Sequence, residues 1–311
     1  MNLRPENVLS LLARCPRYRE TPLCFLPEGL IIKDESKRME LGSFKALGGA
    51  YALAREVKKR GPGQVFCCAS AGNHGLSVAT GASVFGAQAV IVLAESVPRE
   101  FEQRIIALGA STRRAGKSYE ESMKAASELC QSEGWVLLSD SSWPGYLEIP
   151  RNVMEGYTVI PWECAQTFRR RAEWPTHVFL QAGVGGLAAA FAQQVRENWD
   201  VQPLIVVVEP EQAACLQASA LAGRPVSVSG GLSSMGRLDC KEPSILAFEL
   251  LVNHADEFLT VTDTQAEEAA RRLTALGFPT TPSGAAGLAG SVVLGLKNSD
   301  RGLILVTEGE I

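Results

Sequence analysis

The chain has 311 residues, 46% of them hydrophobic and 21% charged, with a formal net charge of −4. That length suggests about two domains, each with enough apolar material for a core, and the small negative charge gives no electrostatic case for nucleic acid or an anionic membrane surface. The longest apolar runs, such as residues 88–94, are too short to span a bilayer, and the acid-bearing N-terminus lacks the apolar stretch of a secretory signal. The eight cysteines show no Cys-x-x-Cys spacing. Cys67 and Cys68, adjacent in an apolar run, read as packed thiols of a reduced, cytoplasmic protein without structural zinc.

Residues 1–40 read as irregular, broken by Pro5, Pro16, Pro22 and Pro27. A helix is predicted over 46–59, stopped by Lys58-Lys59-Arg60-Gly61-Pro62-Gly63, where cations give way to glycine. Strands predicted at 64–69, 89–94, 111–114 and 135–139 alternate with helices at 73–85, 98–108 and 119–132. Residues 141–150, punctuated by proline and glycine, read as a return to the other domain. The alternation then resumes with a helix at 152–171, a strand at 177–181, a glycine turn, a helix at 187–197 and a strand at 204–209. A loop over 223–240, helices at 244–254 and 264–276 and a last strand at 302–306 complete the chain. Such alternation implies βαβ units. The expected fold class is α/β, with two open, twisted, mostly parallel sheets flanked by helices. The expected division is 1–61 with 146–311 as a large domain, and 62–145 as a small one.

Four stretches carry chemistry. Lys45 follows Phe44 and precedes Ala46-Leu47-Gly48-Gly49, small neighbours that let a flat ring approach the backbone. A lysine so confined is a nucleophile toward a carbonyl, although the stretch alone also fits a snorkelling lysine on a first helical turn. Gln181-Ala182-Gly183-Val184-Gly185-Gly186-Leu187 joins a strand to a helix, so its backbone N–H groups can face an anion. It also fits Gly-x-Gly-x-x-Ala through Gly183, Gly185 and Ala188. Glu209 then stands where a ribose-binding acid would, so a dinucleotide site is a rival. Ser70-Ala71-Gly72-Asn73-His74 offers a carboxylate cradle at a helix start, or plain N-capping. His74 reads as a general base or as a packed histidine. Asp140 ends a strand where parallel sheets bind ligands, or caps a helix.

With Pro282-Ser283-Gly284 added, the chain resembles the fold-type II pyridoxal-phosphate enzymes, of tryptophan synthase β-like fold, which include serine and threonine dehydratases, cysteine synthases and serine racemase. Lys33-Asp34-Glu35 followed by Gly42-Ser43-Phe44-Lys45 is similar to the cofactor-lysine motif. The resemblance implies pyridoxal 5'-phosphate anchored on Lys45 and held by Phe44, Asn73, Gly183, Val184, Gly185, Gly186, Leu187 and Thr307. It implies an amino-acid substrate held by Ser70, Ala71, Gly72, Asn73 and His74, with Lys45 and Asp140 as catalytic groups and a homodimer as the assembly. No metal, nucleic acid or membrane partner is expected.

Within the family, Ser139-Asp140-Ser141-Ser142-Trp143-Pro144-Gly145-Tyr146, Met154-Glu155-Gly156-Tyr157 and Thr307-Glu308-Gly309 are similar to the diaminopropionate ammonia-lyase branch. That branch carries an aspartate where this chain has Ala71, and the Ser-Ala-Gly-Asn-His form resembles that of serine and threonine dehydratases. The expectation is therefore α,β-elimination from a β-hydroxy amino acid, such as serine, threonine or a 3-aryl-serine, to a 2-oxo acid and ammonia. Lys45 would take the Cα proton. The cofactor phosphate, or Asp140 with a raised pKa, would protonate the leaving hydroxyl. The alternatives are 2,3-diaminopropionate ammonia-lyase, an amino-acid racemase, a β-replacement enzyme, a dinucleotide-binding oxidoreductase and a non-catalytic binding protein.

Overall fold

The structure, a computed structural model, describes residues 1–70 and 72–310. Residues ahead of Lys45 form α1 (Pro5–Leu12), β1 (Leu23–Phe25) and β2 (Leu30–Asp34). Then follow α2 (Lys45–Arg60), β3 (Val65–Ala69), α3 (Asn73–Val84), β4 (Gln88–Leu93), α4 (Arg99–Ala107), β5 (Ser111–Arg114), α5 (Tyr119–Glu133), β6 (Val136–Leu137) and α6 (Glu148–Tyr157). The rest of the chain forms α7 (Val159–Arg171), β7 (His177–Gln181), α8 (Gly186–Asn198), β8 (Leu204–Pro210), α9 (Cys215–Ala222), α10 (Ile245–His254), β9 (Glu257–Val261), α11 (Asp263–Ala275), α12 (Pro282–Leu294) and β10 (Gly302–Val306).

Two compact units result, Met1–Phe44 with Tyr157–Ile311, and Lys45–Gly156. The first holds a sheet of order β1-β2-β10-β7-β8-β9, parallel except for the β1/β2 pair. Its core packs Phe179, Val206, Val208, Ile304 and Val306 from the strands against Ala285, Ala286 and Ala289 of α12 and Ala266 and Ala270 of α11. The second unit holds an all-parallel sheet of order β5-β4-β3-β6. On one face Cys67, Ala69, Val90 and Val92 pack against Ala126 and Cys130 of α5. The α/β class with two mostly parallel sheets flanked by helices is the one expected.

The differences from expectation have physical reasons. Residues 1–40 are not irregular: Pro5 opens α1 at a position where its missing N–H costs nothing, and Leu30-Ile31-Ile32 pair in parallel with β10. The glycine-rich start of α12 reads poorly as helix, yet its glycines serve close packing. A Cβ on Gly287 would lie 2.9 Å from Gln181 Oε1 and 3.3 Å from the Phe179 carbonyl oxygen, so packing overrides propensity. The helix expected over 152–171 is two helices, α6 and α7, and α9 and β9 were not anticipated. The unit boundary also differs from the one expected, since α2 packs inside the 45–156 unit. A Cβ on Gly49 would stand 2.5 Å from Ser77 Oγ of α3, and one on Gly156 would stand 2.7 Å from Gly48 Cα. Helices that approach this closely do not part into separate units.

Candidate active site

In the unit of residues 45–156 the chain steps from β3 through β4 to β5 on one side, then returns to β6 on the other side of β3. Such a reversal opens a crevice at the carboxyl ends of the two diverging strands. After β3 come Ser70 and Gly72; after β6 come Leu138, Ser139 and Asp140. Ala71, expected in the substrate loop, lies outside the described residues. Ser70 Oγ accepts the N–H of Gly72 at 3.2 Å and of Gly75 at 3.0 Å, so the hydroxyl caps α3. Asn73 and His74 are buried in the first turn of that helix.

His74 Nε2 lies 2.9 Å from the Leu138 carbonyl oxygen. Nε2 therefore carries the proton and Nδ1 the lone pair; Nδ1 is buried with no hydrogen-bond partner among the described residues. Burial pushes the imidazole pKa down against the pull of Asp140, and Lys45 adds to the lowering, which leaves His74 neutral at pH 7.

Lys45 Nζ, on the first residue of α2, pairs with the Asp140 carboxylate. Burial alone would raise the Asp140 pKa. The Lys45 ammonium outweighs it and holds the carboxyl well below the usual carboxylate range. This corrects the expected acid: Asp140 beside Lys45 is a carboxylate with no proton to give.

In the other unit β7, β8 and β9 run in order to one side while β10 returns on the other side of β7. The carboxyl ends of β7 and β10 lead into the turn 182–185 and into Thr307. Gly185 caps α8 with a φ of +97°, a region glycine enters freely. A Cβ on Gly183 would stand 2.9 Å from Cys240 Sγ and 3.2 Å from Leu238 Cα. Among the described residues no acceptor meets the N–H groups of Gly183, Val184 or Gly185, and Gly186 and Leu187 begin a helix whose first N–H groups have no intrahelical partner. Thr307 is buried, with its hydroxyl 3.4 Å from Gln181 Nε2. Its carbonyl takes the N–H of Phe44 at 3.1 Å, and the Phe44 ring meets Tyr157 edge-on at 4.9 Å.

Glu209, the acid of the dinucleotide rival, is spent inside the protein. Its buried carboxylate accepts the N–H of Leu216 and of Gln217, both at 2.7 Å, and caps α9. Lys33 and Glu35 also do structural work. Lys33 Nζ lies 2.5 Å from Glu163, and Arg38 bridges Glu35 at 2.7 Å and Glu163 at 2.8 Å in a fully buried cluster. Two features went unforeseen. Glu308 is held by Arg237 at 2.8 Å and by the Thr281 hydroxyl, and Arg237 sits in a loop with no periodicity to announce it. Tyr146 bonds the end of β6, and its Trp-Pro-Gly-Tyr turn was readable. None of the eight cysteines is in a disulfide. Among the described residues no cluster of three or more His, Cys, Asp or Glu is placed to hold a metal, and no helix is long and apolar enough to cross a membrane.

Residues 15–308 match the family model described as pyridoxal-phosphate dependent enzyme. Diaminopropionate ammonia-lyase of Escherichia coli K12 is 33% identical over 308 residues, covering 90% of this chain and 77% of that one. A biosynthetic L-threonine dehydratase of Salmonella typhimurium is 29% identical over 273 residues, covering 84% of this chain and 50% of that one. Among solved structures, the holo form of the Escherichia coli diaminopropionate ammonia lyase superposes with a TM-score of 0.89 at 29% identity, covering 98% of this chain and 88% of the other.

Proposed function

Because the chain belongs to the family of pyridoxal-phosphate-dependent enzymes, we propose that it is a lyase that removes the β-amino group of 2,3-diaminopropionate as ammonia, after which water converts the released enamine to a 2-oxo acid and a second ammonia. The observation that carries the choice is the state of Asp140. An amine leaving group arrives as an ammonium and already bears the proton with which it departs. An ionised Asp140 attracts that cation. A hydroxyl leaving group needs an acid, and Asp140 is not one while it pairs with the Lys45 ammonium. The expectation of a β-hydroxy substrate therefore yields to the diaminopropionate alternative, which also agrees with the relatives that match over most of their length. A second reading, dehydration of serine or threonine, is favoured by Ala71 and by the likeness to an L-threonine dehydratase.

The cofactor, pyridoxal phosphate, supplies an electron sink for charge that develops at Cα. The residues fit such a group. The turn 183–187 presents backbone donors and a helix N-terminus suited to a phosphate dianion, with no polar side chain of its own to compete. Thr307 offers a buried hydroxyl for the ring nitrogen and Asn73 an amide for the ring hydroxyl. Lys45 is the attachment amine; once free, its Nζ takes the Cα proton. Residues of the 70–74 loop hold the substrate carboxylate, and Asp140 holds the β-ammonium. With alanine at 71 and Asp140 committed to the β-ammonium, Lys45 serves as the base at Cα, so one isomer is turned over. A cytoplasmic homodimer belongs to the same proposal.

The test is 2-oxo acid release from both isomers of 2,3-diaminopropionate, L-serine and L-threonine. One diaminopropionate isomer should lead in kcat/KM by at least about tenfold, the scale of one ionic contact of about 1.4 kcal/mol. A faster hydroxy substrate overturns the leaving-group argument, and equal turnover of the two isomers overturns the single base.

A further inference from the structure

Strand β6 is an edge strand of only two residues. Its inner side is held, since the Leu138 N–H donates to the Cys67 carbonyl of β3 at 2.8 Å and the Leu138 carbonyl receives His74 Nε2 at 2.9 Å. Successive residues of an extended chain turn their peptide groups to opposite sides. The Leu137 carbonyl and the Ser139 N–H therefore fall on the open edge, where no further strand follows. The Tyr146 phenol occupies that place. Its hydroxyl donates to the Leu137 carbonyl at 2.8 Å and accepts the Ser139 N–H at 2.9 Å.

The sequence explains how the ring gets there. Trp143-Pro144-Gly145-Tyr146 is a tight turn with proline second and glycine third, the latter at φ +88°. The Tyr146 N–H closes it on the Trp143 carbonyl at 2.9 Å, and the two rings stack with centroids 4.4 Å apart and planes 15° apart.

We propose that Tyr146 is a positioning residue for Asp140: it substitutes for the missing neighbouring strand and fixes the segment that sets the Asp140 carboxylate on Lys45. The proposal rests on the reading of Asp140 as a site residue. The groups facing Asp140 are Lys45 of α2, His74 of α3, Cys68 of β3 and Tyr146 itself.

Tyr146→Phe keeps the ring and its stack and removes only the hydroxyl. In the apoprotein, carbon-13 NMR of the aspartate carboxyls, with Asp140 assigned by its loss in Asp140→Asn, is expected to show Asp140 titrating at higher pH in Tyr146→Phe than in the unsubstituted protein. In the loaded enzyme kcat/KM should fall about tenfold, through KM as well as kcat because Asp140 holds the β-ammonium, and the acid limb of the pH profile should move upward with the carboxyl. Gly145→Val strains the turn at its positive φ, where an added Cβ meets no heavy atom within 4 Å, and should give the same two shifts. An unchanged Asp140 titration in folded Tyr146→Phe overturns the positioning role whatever the turnover. Full activity in Asp140→Asn overturns instead the role of Asp140 in the reaction, and the titration still decides whether Tyr146 positions it.

Discussion

The crevice of residues 45–156 is equipped with ionisable side chains, Lys45, Asp140 and His74, whereas the crevice of the other unit is equipped with backbone N–H groups, glycines and a threonine hydroxyl. The two strand-end acids make the contrast sharper. Asp140 meets Lys45 and stays ionised; Glu209, buried among α9 N–H groups with no cation beside it among the described residues, is pushed up to about 7. An acid at the end of a parallel strand thus becomes a reactive group where a cation faces it, and a helix cap where none does. The division suits the proposed chemistry. Proton transfer needs groups that titrate, and holding a phosphate needs fixed dipoles that do not.

The comparison breaks most completely at Lys45. Lys45→Ala should lower elimination by at least about 10³-fold, the range of a lost general base that is also the attachment amine. The visible band of the loaded protein should vanish with it. Because the phosphate turn owes nothing to this side chain, the variant should still bind the cofactor reversibly in equilibrium dialysis. A cofactor adduct still fixed by borohydride in Lys45→Ala would show that another lysine is the anchor.

Sequence made this contrast partly legible. The turn 183–187 and the start of α2 are local signals, a glycine run between a strand and a helix and a lysine among small residues, and both stand where expected. The strand–helix alternation of the second unit was equally local. What escaped depends on distant partners. The pKa of Asp140 is set by a lysine 95 positions away, and no spacing reveals whether burial or that cation wins. Glu209 fitted a ribose-binding pattern by position, yet its real partners are the first N–H groups of the next helix. Strand β2 was hidden among prolines because its pairing partner, β10, lies at the far end of the chain.

A weaker break is expected at the backbone site. Gly183→Val places side-chain atoms against Cys240 Sγ and the Leu238 backbone, so the turn must shift and its donors lose their aim. Loss of one hydrogen bond to a charged group, about 1.5–3 kcal/mol, predicts cofactor affinity reduced about 10- to 100-fold. At saturating cofactor kcat should be unchanged, because the proton-transfer groups are elsewhere. Titration of the apoprotein with pyridoxal phosphate measures this, and an unaltered Kd would move the phosphate away from the turn.

The smallest effect on turnover is expected at Glu209, where the comparison sharpens into a pH signature. Burial raises its carboxyl pKa from 4.5 to about 7 against the two helix N–H groups. Below pH 4.5 the group is protonated folded and unfolded, and it contributes nothing to the pH slope. Between 4.5 and 7 the unfolded chain releases the proton and the folded chain keeps it, so stability falls as pH rises. Above 7 both states are ionised and the loss levels off, at about 3 kcal/mol for a shift of this size. Glu209→Gln cannot titrate, so denaturant unfolding of the apoprotein should show this component of the decline between pH 4.5 and 7 in the natural chain and not in the variant. Turnover in Glu209→Gln should be unchanged at pH 8. A parallel pH dependence in the two proteins would mean that Glu209 is ionised throughout, with the α9 dipole outweighing burial, and the contrast with Asp140 would then lie in the partner alone and not in the charge.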